Sequence, residues 1–138
     1  LEGEVISFDA VNWLAVVVGM VISMALGALW YGPLFGNLWL RMIGKTADEI
    51  EGDPMDYVKT AVAAFVAMLF LNLVVVGFGT QSLVNGMVAG ALAFIGFGAT
   101  TTFVYTTFEG PEERVWLLYA AYQLIVFVIM GGVFAVWM

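Results

Sequence analysis

Three stretches of this chain contain no charged residue: Ala10 to Leu40, Thr60 to Phe108 and Val115 to Met138. An uncharged apolar run of about 18 or more residues reads as a membrane span, because about 20 helical residues cross a ~30 Å hydrocarbon core. The middle run is too long for one crossing and carries a turn signal, Gly77-Phe78-Gly79-Thr80-Gln81-Ser82. The expected fold is an all-α integral membrane protein with four transmembrane helices in an antiparallel bundle. The spans fall at about 10–31, 54–77, 82–108 and 112–138, with an interfacial segment at about 34–51. Together they make a single domain over residues 1–138.

Local signals set the boundaries. As one straight helix the first uncharged run would be roughly 46 Å long, so a break is expected at Gly32-Pro33, where proline lacks an N–H and its ring crowds the preceding turn. Thr46-Ala47-Asp48-Glu49 fits a capping box, and Gly52 suits a helix stop. Asp53-Pro54 fits an N-cap followed by proline at the first helical position, with Asp56 in the first turn. Short turns at Gly77–Gln81 and Glu109–Pro111 make spans two and three, and three and four, antiparallel neighbours. Spans one and three both end in an aromatic followed by Gly-Pro, as a tandem duplication of a two-helix unit would produce. Gly-Pro also ends helices commonly, without any duplication.

Arg41, Lys45 and Lys59 flank the first connection and Arg114 the third. Lys and Arg near span ends set topology and acidic residues contribute little. The expected location is therefore the plasma membrane of a prokaryote, multi-pass, with both termini outside. The acidic start, Leu1-Glu2-Gly3-Glu4, lacks the basic region of a signal peptide, so the first span is expected to be retained.

The rest of the composition excludes chemistry. Four basic residues against eleven acidic ones leave little to bind a phosphate backbone, so no nucleic-acid partner is expected. There is no cysteine and no histidine, which removes disulfides, thiol chemistry and zinc sites of the ordinary kind. No carboxylate pair lies within a span to tune a pKa, and no ionisable group is placed for proton exchange. The acidic cluster Asp48, Glu49, Glu51, Asp53 and Asp56 lacks calcium-loop spacing and reads as a solvated face with helix caps. The expectation is a non-enzymatic protein with no catalytic residues, no metal site and no cofactor.

Two sets of residues remain for function. Gly19, Ser23 and Gly27 lie four residues apart, Gly86, Gly90 and Gly98 form a similar stripe in span three, and Gly131 and Gly132 lie in span four. Small residues at such spacing let helix backbones approach closely. They serve either packing within the bundle or a seam with another chain. The second set is polar and aromatic: Trp30 and Tyr31, Thr100, Thr101, Thr102 and Tyr105, and Tyr119, Tyr122 and Gln123, at comparable depth toward one membrane face. These residues would form an amphipathic pocket for a lipid headgroup, quinone or small solute. Otherwise the threonines bond to their own turn and the aromatics form an interfacial belt.

The stretch Gly27-Ala28-Leu29-Trp30-Tyr31-Gly32-Pro33-Leu34-Phe35-Gly36, with Asn12-Trp13 before it and Trp39 after, resembles the bacterial and archaeal membrane family catalogued as domain of unknown function 1761. Thr46-Ala47-Asp48-Glu49, Phe108-Glu109-Gly110 and Ala121-Tyr122-Gln123-Leu124 followed by Met130-Gly131 extend the resemblance over essentially the whole chain. It implies four membrane helices and no established activity. In the family's pattern a histidine often stands where this chain has Gln123, so no histidine-dependent role carries over. The functional expectation is a membrane protein that self-associates or serves as an accessory subunit of a larger membrane complex, in contact with lipid. The alternative is a small transporter or channel acting as an oligomer.

Overall fold

The structure is a computed structural model that describes residues 6–50, 52–109 and 112–137. Among them no strand occurs, and four helical segments are long and apolar enough to cross a membrane: Trp13–Leu34, Pro54–Gly77, Leu83–Phe108 and Glu113–Val136. In hydrocarbon each backbone N–H and C=O needs a partner within its own segment, and a continuous helix supplies one.

Helix α1, Trp13–Leu29, starts later than expected from the uncharged run. Phe8–Ala10 forms a separate single turn, and Asn12 caps α1 by accepting a hydrogen bond from the Ala15 N–H at 3.0 Å. The expected break is present at Gly32-Pro33, as a widened turn over Trp30–Leu34 in which the Phe35 N–H reaches the Trp30 carbonyl at 2.9 Å. Proline has no N–H to continue the ordinary pattern, so the helix spreads by one residue and turns. Helix α2, Gly36–Ile43, follows within the interfacial segment and ends at Gly44, whose φ of 69° is a left-handed helix stop.

Thr46 and Glu49 make only half of the expected capping box. The Thr46 N–H and hydroxyl both donate to the Glu49 carboxylate, at 3.4 and 3.1 Å, and the turn they open is only Asp48–Ile50. The full box lies at Asp53, which accepts from the Met55 N–H while Asp56 accepts from the Asp53 N–H at 3.2 Å. That box begins α3, Pro54–Gly77, over the expected span. Gly79, at φ 68°, then turns the chain into Ser82, which caps α4, Leu83–Ala93. A second widened turn, Phe94–Ala99, joins α4 to α5, Thr100–Phe108, and α6 runs over Glu113–Val136. The second Gly-Pro pair, Gly110-Pro111, falls outside the described residues, as do Leu1 to Glu4 and Glu51.

Helix α6 is the most buried of the four and packs against α1, α3 and α4. The core between them is Val16, Met68, Val75, Val126, Met130 and Phe134, all essentially without exposure. The opposite faces of α3 and α4 carry Val62, Val66, Phe70, Val84, Val88 and Leu92 outward. In water such faces would demand cover; next to acyl chains they are the ordinary surface of a membrane helix.

Candidate functional site

The two halves of the bundle are built from different residue sizes. At the end of the bundle that holds the α3–α4 turn, Gly86 and Gly90 of α4 face Phe127, Gly131 and Ala135 of α6. A Cβ on Gly86 would collide with the Gly131 carbonyl, one on Gly90 with the Phe127 carbonyl, and one on Gly131 with the Gly86 carbonyl. Gly132 sits against Leu83 and Met87, where a Cβ would come within 2.8 and 2.9 Å. With no side chains between them, the two backbones close directly on each other.

Past Gly90 the next residue on that face is Phe94, and the contact between the helices thins. The buried Phe94 ring packs on Phe127 at 5.4 Å between centroids and folds over Gly98, filling the place a Gly98 side chain would need. From this ring pair onward α6 touches the widened turn and α5 only lightly. A lateral tie survives at Trp116, whose indole N–H donates to the Thr102 hydroxyl at 3.0 Å while its ring meets Phe103 edge-on.

Between α5 and α6 a half-open cleft of about 300 Å³ remains. Thr102, Tyr105 and Thr106 of α5 form one wall, and Val115, Trp116 and Tyr119 of α6 another. The third wall is Tyr31 and Trp39, brought over by the break at Gly32-Pro33 and packed edge to face at 4.9 Å and 62°. Behind them Tyr122 braces the end of α1: it donates to the Ser23 carbonyl, lies 3.3 Å from the Ser23 hydroxyl, and packs on both Trp30 and Tyr31. Trp30 in turn donates to the Leu118 carbonyl of α6 at 3.1 Å. The aromatic walls are therefore fixed from behind.

A second, smaller cavity of about 80 Å³ lies at the other end of the bundle, bordered by Ser7, Val11, Asn72 and Val76. Asn72 is fully buried; its carbonyl oxygen accepts from the Asn12 N–H at 3.3 Å, while its amide nitrogen has no partner among the described residues. Asn12 also donates from its side chain to the Trp137 carbonyl at 3.3 Å, so one residue links α1, α3 and the end of α6.

The sequence-derived residues distribute as follows. Gly19 lies against Met68 and Met130, Gly27 against Tyr122, and Ser23 bonds to Tyr122, so the α1 stripe packs within the chain. Gly86, Gly90, Gly131 and Gly132 form the α4–α6 seam, and Gly98 receives Phe94. Of the polar and aromatic set, Tyr31, Tyr105 and Tyr119 line the cleft, and Trp30 and Tyr122 stand behind its wall. Thr101 points elsewhere and bonds to its own turn at the Phe97 carbonyl, at 2.6 Å. Gln123 shares the α6 stripe of Trp116 and Phe127 and does not reach the cleft lining. Thr102, expected in the same set, lines the cleft, whereas sequence reasoning missed Trp39, Thr106, Val115 and Trp116. Trp116 follows Thr102 across a hairpin, a pairing that antiparallel helix geometry around the Glu109–Pro111 turn would have suggested.

Among the described residues no three carboxylates gather in a form that could hold a metal ion. No curated protein and no solved structure matches the chain. Residues 14–135, nearly its whole length, match the family described as Protein of unknown function (DUF1761), as the stretch through Trp30-Tyr31-Gly32-Pro33 led us to expect, and the chain belongs to that family.

Proposed function

We propose that this membrane protein is non-enzymatic and binds a small amphipathic molecule in the aromatic cleft between α5, α6 and the break after α1. The observation that carries the proposal is the contrast within one helix pair. Glycines close α4 on α6 at one end, and a space of about 300 Å³ stands open between α5 and α6 at the other. A cleft of that size with apolar walls and a few hydroxyls has the character of a small-molecule site. The widened turns beside it agree, since such turns gather at functional positions.

The orientation that goes with this reading is a prokaryotic plasma membrane with both termini outside, which places the cleft at the cytoplasmic face. Its support is the grouping of Arg41, Lys45, Lys59 and Arg114 at one end. A self-associating or accessory subunit drew its support from the small-residue stripes. These pack within the chain and lend it none here. A transporter would need a path between the helices, and α4 and α6 close backbone on backbone at the glycine seam.

Native mass spectrometry of the protein released from lipid nanodiscs tests the proposal. Wild-type protein is expected to retain a bound small molecule or single lipid that Tyr105→Ala and Tyr119→Ala variants lose. Equal spectra for all three, with no retained mass, would overturn it.

A further inference from the structure

Resting on the reading of the cleft as a binding site, we infer that its ligand carries a quaternary ammonium group. The walls include five aromatic rings: Tyr31, Trp39, Tyr105, Trp116 and Tyr119. Ring faces are electron-rich and attract a cation within about 6 Å of the centroid, and boxes of such rings are the usual host for alkylated ammonium. The steep angle between Tyr31 and Trp39, 62°, gives a corner instead of a flat stack.

The type of cation follows from what the walls lack. Among the described residues no carboxylate lines the cleft, and its side-chain acceptors are the hydroxyls of Tyr31, Thr102, Tyr105, Thr106 and Tyr119, of which Thr102 is already engaged by Trp116. A primary ammonium would find neutral hydroxyls there but no carboxylate to pair with. A quaternary ammonium has no N–H donor to satisfy, and its methyl groups suit apolar walls. Charge at that end of the bundle agrees. The connection from α5 to α6 carries Glu109, Glu112 and Glu113 with Arg114, which is paired with Glu112 at 2.9 Å, and the stretch from Arg41 to Lys59 adds Asp48, Glu49, Glu51, Asp53 and Asp56 against Arg41, Lys45 and Lys59. That imbalance draws cations toward this end and disfavours an anion. The group could belong to a free solute or to a lipid headgroup, since the cleft opens near the helix ends.

The experiment uses full-length protein in nanodiscs of phosphatidylglycerol alone, titrated with choline and, separately, with 3,3-dimethylbutan-1-ol, its uncharged isostere, following tryptophan fluorescence. Choline is expected to bind saturably and at least about tenfold more tightly than the isostere. Tyr105→Ala, at an exposed position that leaves the core untouched, is expected to weaken choline about tenfold, while Tyr105→Phe stays within about twofold because the ring face remains. Adding phosphatidylcholine to the disc separates the sources: displacement of choline identifies a headgroup, and undiminished choline binding identifies a free cation. Equal affinity for choline and the isostere would overturn the inference while leaving the cleft as a binding site. Failure of both probes to bind, with no retained mass in the native spectrum, would remove the site as well.

Discussion

Gly90 and Gly96 differ by six positions and occupy opposite environments, so they test whether backbone contact holds the bundle. A methyl group on Gly90 would strike the Phe127 carbonyl, which no rotamer change can move, whereas one on Gly96 meets nothing within 4 Å. Overpacking of this kind costs about 1–3 kcal/mol, while filling an open helical glycine gains about 0.5–1 kcal/mol through reduced backbone freedom. Gly90→Ala is therefore expected to lower stability by about 2 kcal/mol in a reversible unfolding titration in mixed detergent, and Gly96→Ala to leave it equal or raise it. Similar losses for both would show that α4 and α6 are not held by direct contact. Asn12 is the other residue with more than one role. Its side chain caps α1 and reaches the Trp137 carbonyl, so Asn12→Ala should cost roughly 1–2 kcal/mol in the same titration. A neutral result would count against the tie between α1 and the end of α6.

Among the elements, the pair α5 and α6 is in light contact beside the cleft and joined chiefly by the Trp116–Thr102 hydrogen bond. Interhelical polar bonds in membranes average about 0.6 kcal/mol, so Thr102→Val is expected to change global stability by less than about 1 kcal/mol. It should nevertheless release the Trp116 ring that forms one wall, and the mass retained in the native spectrum should fall. A variant with full retention would mean that packing on Phe103 alone fixes the wall. This split between weak energetics and fixed geometry also explains what the sequence could reveal. The limits of α3 were legible because Asp53, Pro54 and Asp56 act within one turn of the chain. The start of α1 was misplaced because the uncharged run continues upstream, and only the Asn12 cap marks the boundary. Tyr31, Tyr105 and Tyr119 could be placed at similar depth from span ends alone. Thr102 could be placed the same way and Trp116 opposite it from the hairpin, but Trp39 could not, because its approach depends on the turn after Tyr31, which is a property of packing.

For the whole molecule, the unequal halves have a direct consequence for topology. The glycine-closed end carries the α3–α4 turn, which has no basic residue, while the open end carries all four. If positive charge remains on the cytoplasmic side, the cleft faces the cytoplasm and the turn at Gly79 faces out. The absence of cysteine makes this measurable without background labelling. Single cysteines at Thr80 and Lys45 lie at opposite ends and outside the packed core. A membrane-impermeant maleimide applied to intact cells is expected to label Thr80→Cys and to reach Lys45→Cys only after the membrane is opened. The reverse pattern would place the cleft on the outer face, where its occupant would be drawn from the surroundings of the cell and not from the cytoplasm. The aromatic walls and the Glu109 to Glu113 rim would keep the same chemistry in either case, so the labelling result decides which pool of molecules the cleft can sample.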